Sequence, residues 1–280
     1  MESGGLVRMK LLKFLFWLLP KRHRTIGKQK YKFNITESDE DIRDTKFVQN
    51  EFYKTLFPET IDYSEFVPAI KDQGSIGSCG SHAAVTGIET LEKIYNPSWY
   101  VPLSEMFHYW IVRQEEYEGL VFNTTYPNDN GQTGRDAMRV LNRVGVCPEN
   151  LYPYNVSNFN DMPFLAPSFA RFWKLLEYNK CWSVDAIKSA LVDKKVVWLG
   201  IPVKSNFLKH KGEDVITFDP DFQHKGGHAV LIVGYNESKQ AFRIVNSWGT
   251  TWGDKGYGWM SYQYLYDADW FDSWAMRQQR

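Results

Sequence analysis

Apolar residues follow two different rhythms along this 280-residue chain. From Cys79 to Asn96 they recur at helical spacing: Ala83, Ala84, Val85, Ile88, Leu91 and Ile94 form one stripe, and Asn96-Pro97 closes the run. The pattern predicts a helix with Cys79 at its N-terminal end. Leu103-Ser104-Glu105 has the form of a capped helix start, and Arg135 to Arg143 reads as a third helix. From Val196 onward the rhythm changes to short β-branched and aromatic runs, Val196 to Ile201, Ala229 to Val233, Ala241 to Val245 and Gly258 to Ser261, parted by turn residues such as Asn236 and Gly253. A helical half followed by a strand-rich half predicts an α+β protein of two lobes. We read an N-terminal segment over residues 1–60 and a domain over 61–280, with the helical lobe mainly in 75–170 and the β lobe mainly in 171–280.

The first 60 residues follow neither rhythm. Arg8, Lys10, Lys13, Lys21, Arg22, Arg24, Lys28, Lys30 and Lys32 make the start basic, and Leu11 to Leu19 form a greasy stretch ended by Pro20. That stretch is far shorter than the roughly 18 apolar residues of a membrane span, and it lacks a small-residue cleavage site. A pro-region or tether packed on the body is preferred to a basic anchor making membrane contact. Asp39, Glu40, Asp41 and Asp44 read as a solvated acidic patch.

Lys+Arg and Asp+Glu both number 33, so no global field recruits nucleic acid. The cysteines are Cys79, Cys147 and Cys181, too few for a disulfide framework in so long a chain. Cys147 and Cys181 either form one bridge or, the reading we favour, are buried thiols in a reducing compartment.

Candidate chemistry centres on Cys79 and His228. A thiol becomes a strong nucleophile on losing its proton, which the positive end of a helix and a nearby imidazolium both favour. Cys79 has the first by position. His228, after Gly226-Gly227, would draw the proton away and later return it to a leaving amine. Asn246 could accept from the imidazole N–H and fix its tautomer, with Trp248 roofing that bond. The side chain of Gln73 and the backbone N–H of Cys79 could together hold an oxyanion. His224 and His228 stand at the spacing of a helical metal pair, but Gly226-Gly227 breaks the helix, and we expect no metal and no cofactor. His82, one turn from Cys79, reads as a core residue.

Gln73 to Ser81, Gly227-His228-Ala229 and Asn246 to Gly253 resemble the active-site blocks of the papain family of cysteine peptidases. His228 lies 149 positions after Cys79, within the roughly 130–150 of the family pattern. Ile76 departs from that pattern where it has an upstream cysteine, and Gly80 where it has an aromatic residue. Leu103-Ser104-Glu105, Asp129-Asn130-Gly131, Tyr152-Pro153-Tyr154 and Gly256-Tyr257-Gly258 also look like family landmarks. The form of these blocks is most similar to disulfide-poor members from bacteria and large DNA viruses. Asp129 stands where the usual partner of the upstream cysteine would be.

The resemblance implies a two-lobed fold, Cys79 on the helical lobe, His228 and Asn246 on the β lobe, and a polypeptide substrate across the cleft. It places Gly131, Gln132 and Gly227 beside the substrate backbone; Gln132 stands near a position where the family uses glycine. It implies peptide hydrolysis through a thioester on Cys79, with a first segment that can act as an inhibitory pro-region, as in a zymogen. It also implies a reducing intracellular setting, cytoplasmic or within a viral particle, rather than secretion. The alternatives are a non-catalytic peptide-binding protein of the same fold, or a transpeptidase passing the acyl group to an amine. Oligomeric state is not legible.

Overall fold

The helix expected at Cys79 spans Cys79–Tyr95 and is buried from Cys79 through Glu92. The computed structural model describes residues 31–48, 57–114, 116–117, 120–121, 127–212, 214–219, 226–268 and 270–278; the basic start up to Lys30 with Leu11 to Leu19, and His224, lie outside the described residues. A helix enclosed on nearly every side must approach its neighbours closely. Gly87 permits this over the sheet, since a Cβ there would lie 2.7 Å from the Met276 sulfur and 3.1 Å from Leu231 Cδ1. The other two expected helices are Glu105–Val112 and Gly134–Arg143, capped by the hydroxyls of Ser104 and Thr133, which accept from the N–H groups of Phe107 and Asp136.

An eight-stranded sheet forms the rest of the frame. Its path runs Leu175–Lys180, Asp272–Gln278, Val196–Pro202, Gly227–Asn236, Ala241–Val245, Tyr257–Ser261 and Val215–Ile216, and Thr60–Asp62 pairs with Gly227–Asn236 off that path. Neighbours are antiparallel except Val215–Ile216, which joins in parallel. Alternate residues enter two separate cores. Val196, Trp198, Ala229, Leu231, Val233, Trp274 and Met276 pack with the Cys79–Tyr95 helix, whereas Val197, Leu199, Ile201, Val230, Ile232 and Ala275 pack with Ile187, Leu191 and Phe207. These cores are the two lobes of an α+β, papain-like fold. Burial on both faces explains why the strands read as continuous apolar runs rather than alternating ones. The β lobe also holds a buried helix, Val184–Val192, that the strand-rich reading of the second half did not anticipate.

Cys147 and Cys181 are buried and unbridged. Among the described residues no helix is long and apolar enough to cross a membrane, and no group of three or more His, Cys, Asp or Glu could hold a metal.

Residues 31–48 lie as an extended strap over the junction of the lobes. Ile35–Thr36 pairs in parallel with Gln132–Thr133, and Asn34 bridges to Gly227. Ser38 Oγ donates to Asp272 at 2.6 Å, and the Arg135 guanidinium binds Asp44 at 2.6 Å. Farther on, the N–H of Phe47 and the C=O of Thr45 bond the backbone of Lys180 at the sheet edge. The acidic patch is therefore only partly solvated: Asp39 and Glu40 are exposed, but Asp44 is a buried partner of Arg135.

Candidate active site

Cys79 is the first residue of its helix, and the N-cap Ser78 makes no side-chain cap. Ser78 Oγ is instead 2.5 Å from the Tyr154 hydroxyl and 3.3 Å from His82 Nδ1. The first amides of the helix are thereby left to the sulfur, and the N–H groups of Cys79 and Gly80 both favour its thiolate. So does the N–H of Ala229, from the β lobe. Ala229 is the residue that follows His228. His82 is buried against Tyr154, with ring centroids 4.7 Å apart.

His228 opens the Gly227–Asn236 strand, opposite Ile201. Its Nε2 lies 2.8 Å from Asn246 Oδ1 and donates to it, while Nδ1 has no hydrogen-bond partner among the described residues. Nδ1 is thus the ring nitrogen left open to a further partner. Trp248 covers the ring at 4.5 Å between centroids, and Phe207 closes another side at 5.9 Å.

Gln73 is held in one orientation. Its Oε1 accepts from Ser247 Oγ at 2.8 Å and from the Trp248 indole at 3.1 Å, and its Nε2 donates to the Ile76 carbonyl at 3.1 Å. The indole can only donate, so the amide cannot be reversed. One N–H of Nε2 remains for a ligand.

Two departures from the family pattern, Gly80 and Gln132, compensate one another. A Cβ on Gly80 would lie 2.6 Å from Gln132 Nε2, so the glutamine side chain fills space beside Gly80. Ser81 Oγ donates to Gln132 Oε1 at 2.7 Å, which turns the side chain into the body and leaves the backbone free to pair, as it does with Ile35. From beneath, the Trp198 indole donates to the Gly80 carbonyl at 2.9 Å. Ile76 and Asp129 do not face each other as a bridge; the adjacent Gly77 N–H donates to Asp129 Oδ1 at 2.9 Å.

The strap seals all of this. Tyr31 stacks on Trp248 at 4.9 Å, and the Phe33 ring stands 6.0 Å from His228 and 5.8 Å from Trp248. Gly131, at φ +78°, and Gly227 allow the approach: a Cβ would lie 1.8 Å from the Asn34 carbonyl oxygen at the first and 1.9 Å from that of Ile35 at the second. Gly131, Gln132 and Gly227, expected beside a substrate backbone, all touch the strap. Cys79, His228 and Gln73 are 0% exposed. Burial pushes the Cys79 thiol up to about 12, against the three N–H groups, and pushes His228 down to about 4, against its bond to Asn246. Burial thus favours the neutral thiol and the neutral imidazole in the covered site. Nothing in the spacing of residues 31–36 signals these contacts, which exist only once the lobes have formed.

Residues 57–267 match the model of the papain family of cysteine proteases, and the chain belongs to that family. An uncharacterized peptidase C1-like protein of Acanthamoeba polyphaga mimivirus is 29% identical over 215 residues, covering 71% of this chain and 66% of that protein. Cathepsin S of Bos taurus is 29% identical over 213 residues, covering 71% of this chain and 59% of the cathepsin. The chain thus spans less than two thirds of the length of these curated relatives. Among solved structures, xylellain, a cysteine protease from Xylella fastidiosa, superposes with a TM-score of 0.79 at 27% identity, covering 91% of this chain and all of that one. The proform of the ragweed pollen allergen Amb a 11 shares the fold, with a TM-score of 0.62 at 23% identity over 85% of this chain and 72% of that one. A bacterial and a large-DNA-virus relative both stand among the matches, as the sequence blocks indicated.

Proposed function

We propose that the protein is a cysteine peptidase held dormant by its own residues 31–48. The single observation that carries the chemistry is the arrangement around His228: Nε2 is fixed to Asn246, Nδ1 is unengaged, and the next residue's N–H favours the Cys79 thiolate. In the open enzyme His228 Nδ1 takes the Cys79 proton and the thiolate attacks the scissile carbonyl. The oxyanion is held by the Cys79 N–H and the free N–H of Gln73. Collapse breaks the C–N bond, the imidazolium gives its proton to the leaving amine, and a thioester remains. Water, deprotonated by the same imidazole, releases the acid and restores the thiol. Asn246 keeps the ring oriented through both halves, and Trp248 shields that bond.

The strap supports dormancy in two ways. It excludes solvent and substrate from Cys79. The carbonyl oxygens of Phe33, Asn34 and Ile35 lie against Gly226, Gly131 and Gly227 rather than the oxyanion donors, which accounts for a peptide resting in the cleft uncut. Polypeptide is then the substrate class, with Gly131, Gln132 and Gly227 lining its path. The buried, unbridged thiols favour work in a reducing intracellular compartment; recovery of the native protein only from a secreted fraction would count against that.

A thiol-directed epoxide probe is expected to label Cys79 and abolish peptide cleavage, faster in a chain beginning at Phe57 than in the full chain. No labelling of the shortened, folded chain would reject the peptidase reading, and equal rates would reject dormancy. Peptide binding without turnover, unchanged by Cys79→Ala, would favour the non-catalytic alternative. Mass spectrometry of products formed with an added amine separates hydrolysis from transpeptidation.

A further inference from the structure

Asp129 belongs to none of the chemical steps above, yet it touches three parts of the apparatus. Its carboxylate is 9% exposed. Oδ1 accepts from the Gly77 N–H at 2.9 Å and from the Tyr109 hydroxyl, and Oδ2 accepts from the Lys32 ammonium at 2.5 Å. The Asp129 carbonyl accepts from Asn34 Nδ2 at 2.8 Å. Gly77 stands in the turn between Gln73 and Cys79, so whatever holds it sets the turn that carries both oxyanion donors. Two residues after Asp129 comes Gly131, followed by Gln132, the backbone edge on which the strap pairs. The two oxygens therefore face different tasks. One is satisfied by neutral donors belonging to the folded body, the other by a half-exposed cation belonging to the strap.

We propose that Asp129 is a positioning residue with divided oxygens: Oδ1 registers the oxyanion turn against the substrate-pairing edge in the working enzyme, and Oδ2 is the latch from which Lys32 and the strap are released. The division follows from what each bond needs. A nearly buried carboxylate must keep donors, and the amide of Gly77 and phenol of Tyr109 stay when the strap leaves. Loss of Lys32 exposes Oδ2 to water, which replaces a cation that is itself half in solvent. The strap can thus depart without disturbing the turn. A covalent link between the two loops would give the same registration but offer the strap no anchor.

The proposal rests on the peptidase reading, and the test separates the two. In the full-length protein, two quantities are measured: the alkylation rate of Cys79 by iodoacetamide, and kcat and KM for a fluorogenic peptide, normalised to titratable thiol. Lys32→Met removes only the outer pair; it should raise alkylation about fivefold and lower apparent KM, with kcat unchanged. Asp129→Asn keeps an acceptor oxygen for Gly77 and Tyr109, and should match Lys32→Met in alkylation with kcat within about twofold. Asp129→Ala should raise alkylation equally and cut kcat about tenfold or more. Tyr109→Phe, which removes an inner donor and leaves the outer pair, should lower kcat about threefold at unchanged alkylation; it carries the positioning claim if Asp129→Ala does not fold. Wild-type kcat in Asp129→Ala, or in Tyr109→Phe, overturns the positioning role. Unchanged alkylation in Lys32→Met overturns the latch. If the unmodified chain is alkylated at Cys79 but cleaves no peptide, the peptidase reading falls, while the alkylation ratios still decide the latch.

Discussion

Trp248 donates its indole N–H to the side-chain oxygen of Gln73 at 3.1 Å, so a residue of the β lobe orients the amide we propose as an oxyanion donor. Ser247 Oγ shares the same acceptor at 2.8 Å. With both donors in place the amide nitrogen can point only toward Ile76 and the cleft. Trp248→Phe keeps the aromatic cover over His228 but removes the donor. We expect a fall in kcat of about tenfold with KM little changed, as for a lost interaction of about 1–1.5 kcal/mol. Ser247→Ala should act in the same direction. Steady-state kinetics per titrated active site would decide, and an unchanged kcat in both variants would leave Gln73 without an orienting role for its neighbours.

The neutral Cys79–His228 pair sets an expectation for pH. With the strap seated, the thiol lies at about 12 and the imidazole at about 4, so near neutral pH the thiolate is a minor species. Alkylation of the full chain should climb about tenfold per pH unit between pH 6 and 9, because the rate follows thiolate fraction. A chain beginning at Phe57 should react faster and vary far less across that interval, since water returns to the site and the ion pair becomes affordable. A flat profile in the full chain would contradict the neutral resting pair.

Glu92 gives a stability prediction of definite sign. It is 7% exposed, accepts from Gln278 Nε2 at 2.6 Å, and burial raises its carboxyl from 4.5 to about 7. A folded-state value above the unfolded one means that stability is intact below about pH 4.5 and is lost as pH rises through 7. Glu92→Gln, which keeps an acceptor for Gln278, should raise unfolding free energy at pH 8 by about 2–3 kcal/mol and do little at pH 4. Urea titrations at the two pH values make the comparison, and equal effects at both would show that Glu92 is not the titrating group.

Gly134 begins the third helix in a space fully taken by others. A Cβ there would lie 2.5 Å from Trp198 Cζ3 and 2.6 Å from both Asp272 Oδ2 and Trp274 Nε1. Overpacking against buried rings costs about 1–3 kcal/mol. The gain in helix propensity over glycine is at most about 1 kcal/mol. Gly134→Ala is therefore expected to be net destabilising, read as a lower urea midpoint at unchanged slope. A midpoint at or above that of the parent would mean the rings can give way.

Legibility in the sequence varied with how local the cause was. The helix at Cys79 was readable because its stripe and its Asn96-Pro97 stop lie within one stretch, and the structure ends it at Tyr95. The strands Val196–Pro202 and Ala241–Val245 were readable as runs of β-branched and aromatic residues. Asp272–Gln278 was not, because Asp272, Ser273 and Gln278 break the apolar run; all three are nonetheless buried, bonded to Ser38, the Cys181 carbonyl and Glu92. Propensity cannot see partners 92 to 234 positions away. Gln132 looked like a threat to substrate pairing from its identity alone, and only its bond to Ser81 shows the side chain turned away.

By itself the sequence determined the chemical inventory: a thiol at a helix start, an imidazole at the family's spacing with an amide after it, and the order of helical and strand-rich halves. These are properties of residue type and short-range periodicity, which survive in an unfolded chain. Only the tertiary structure decided that Tyr31 and Phe33 cover Trp248 and His228, that Asp129 bonds both strap and turn, and that burial works against charge on the thiol and the imidazole. Each of these depends on removing groups from water and bringing distant segments within hydrogen-bond reach, and neither condition exists before the two lobes have closed on one another.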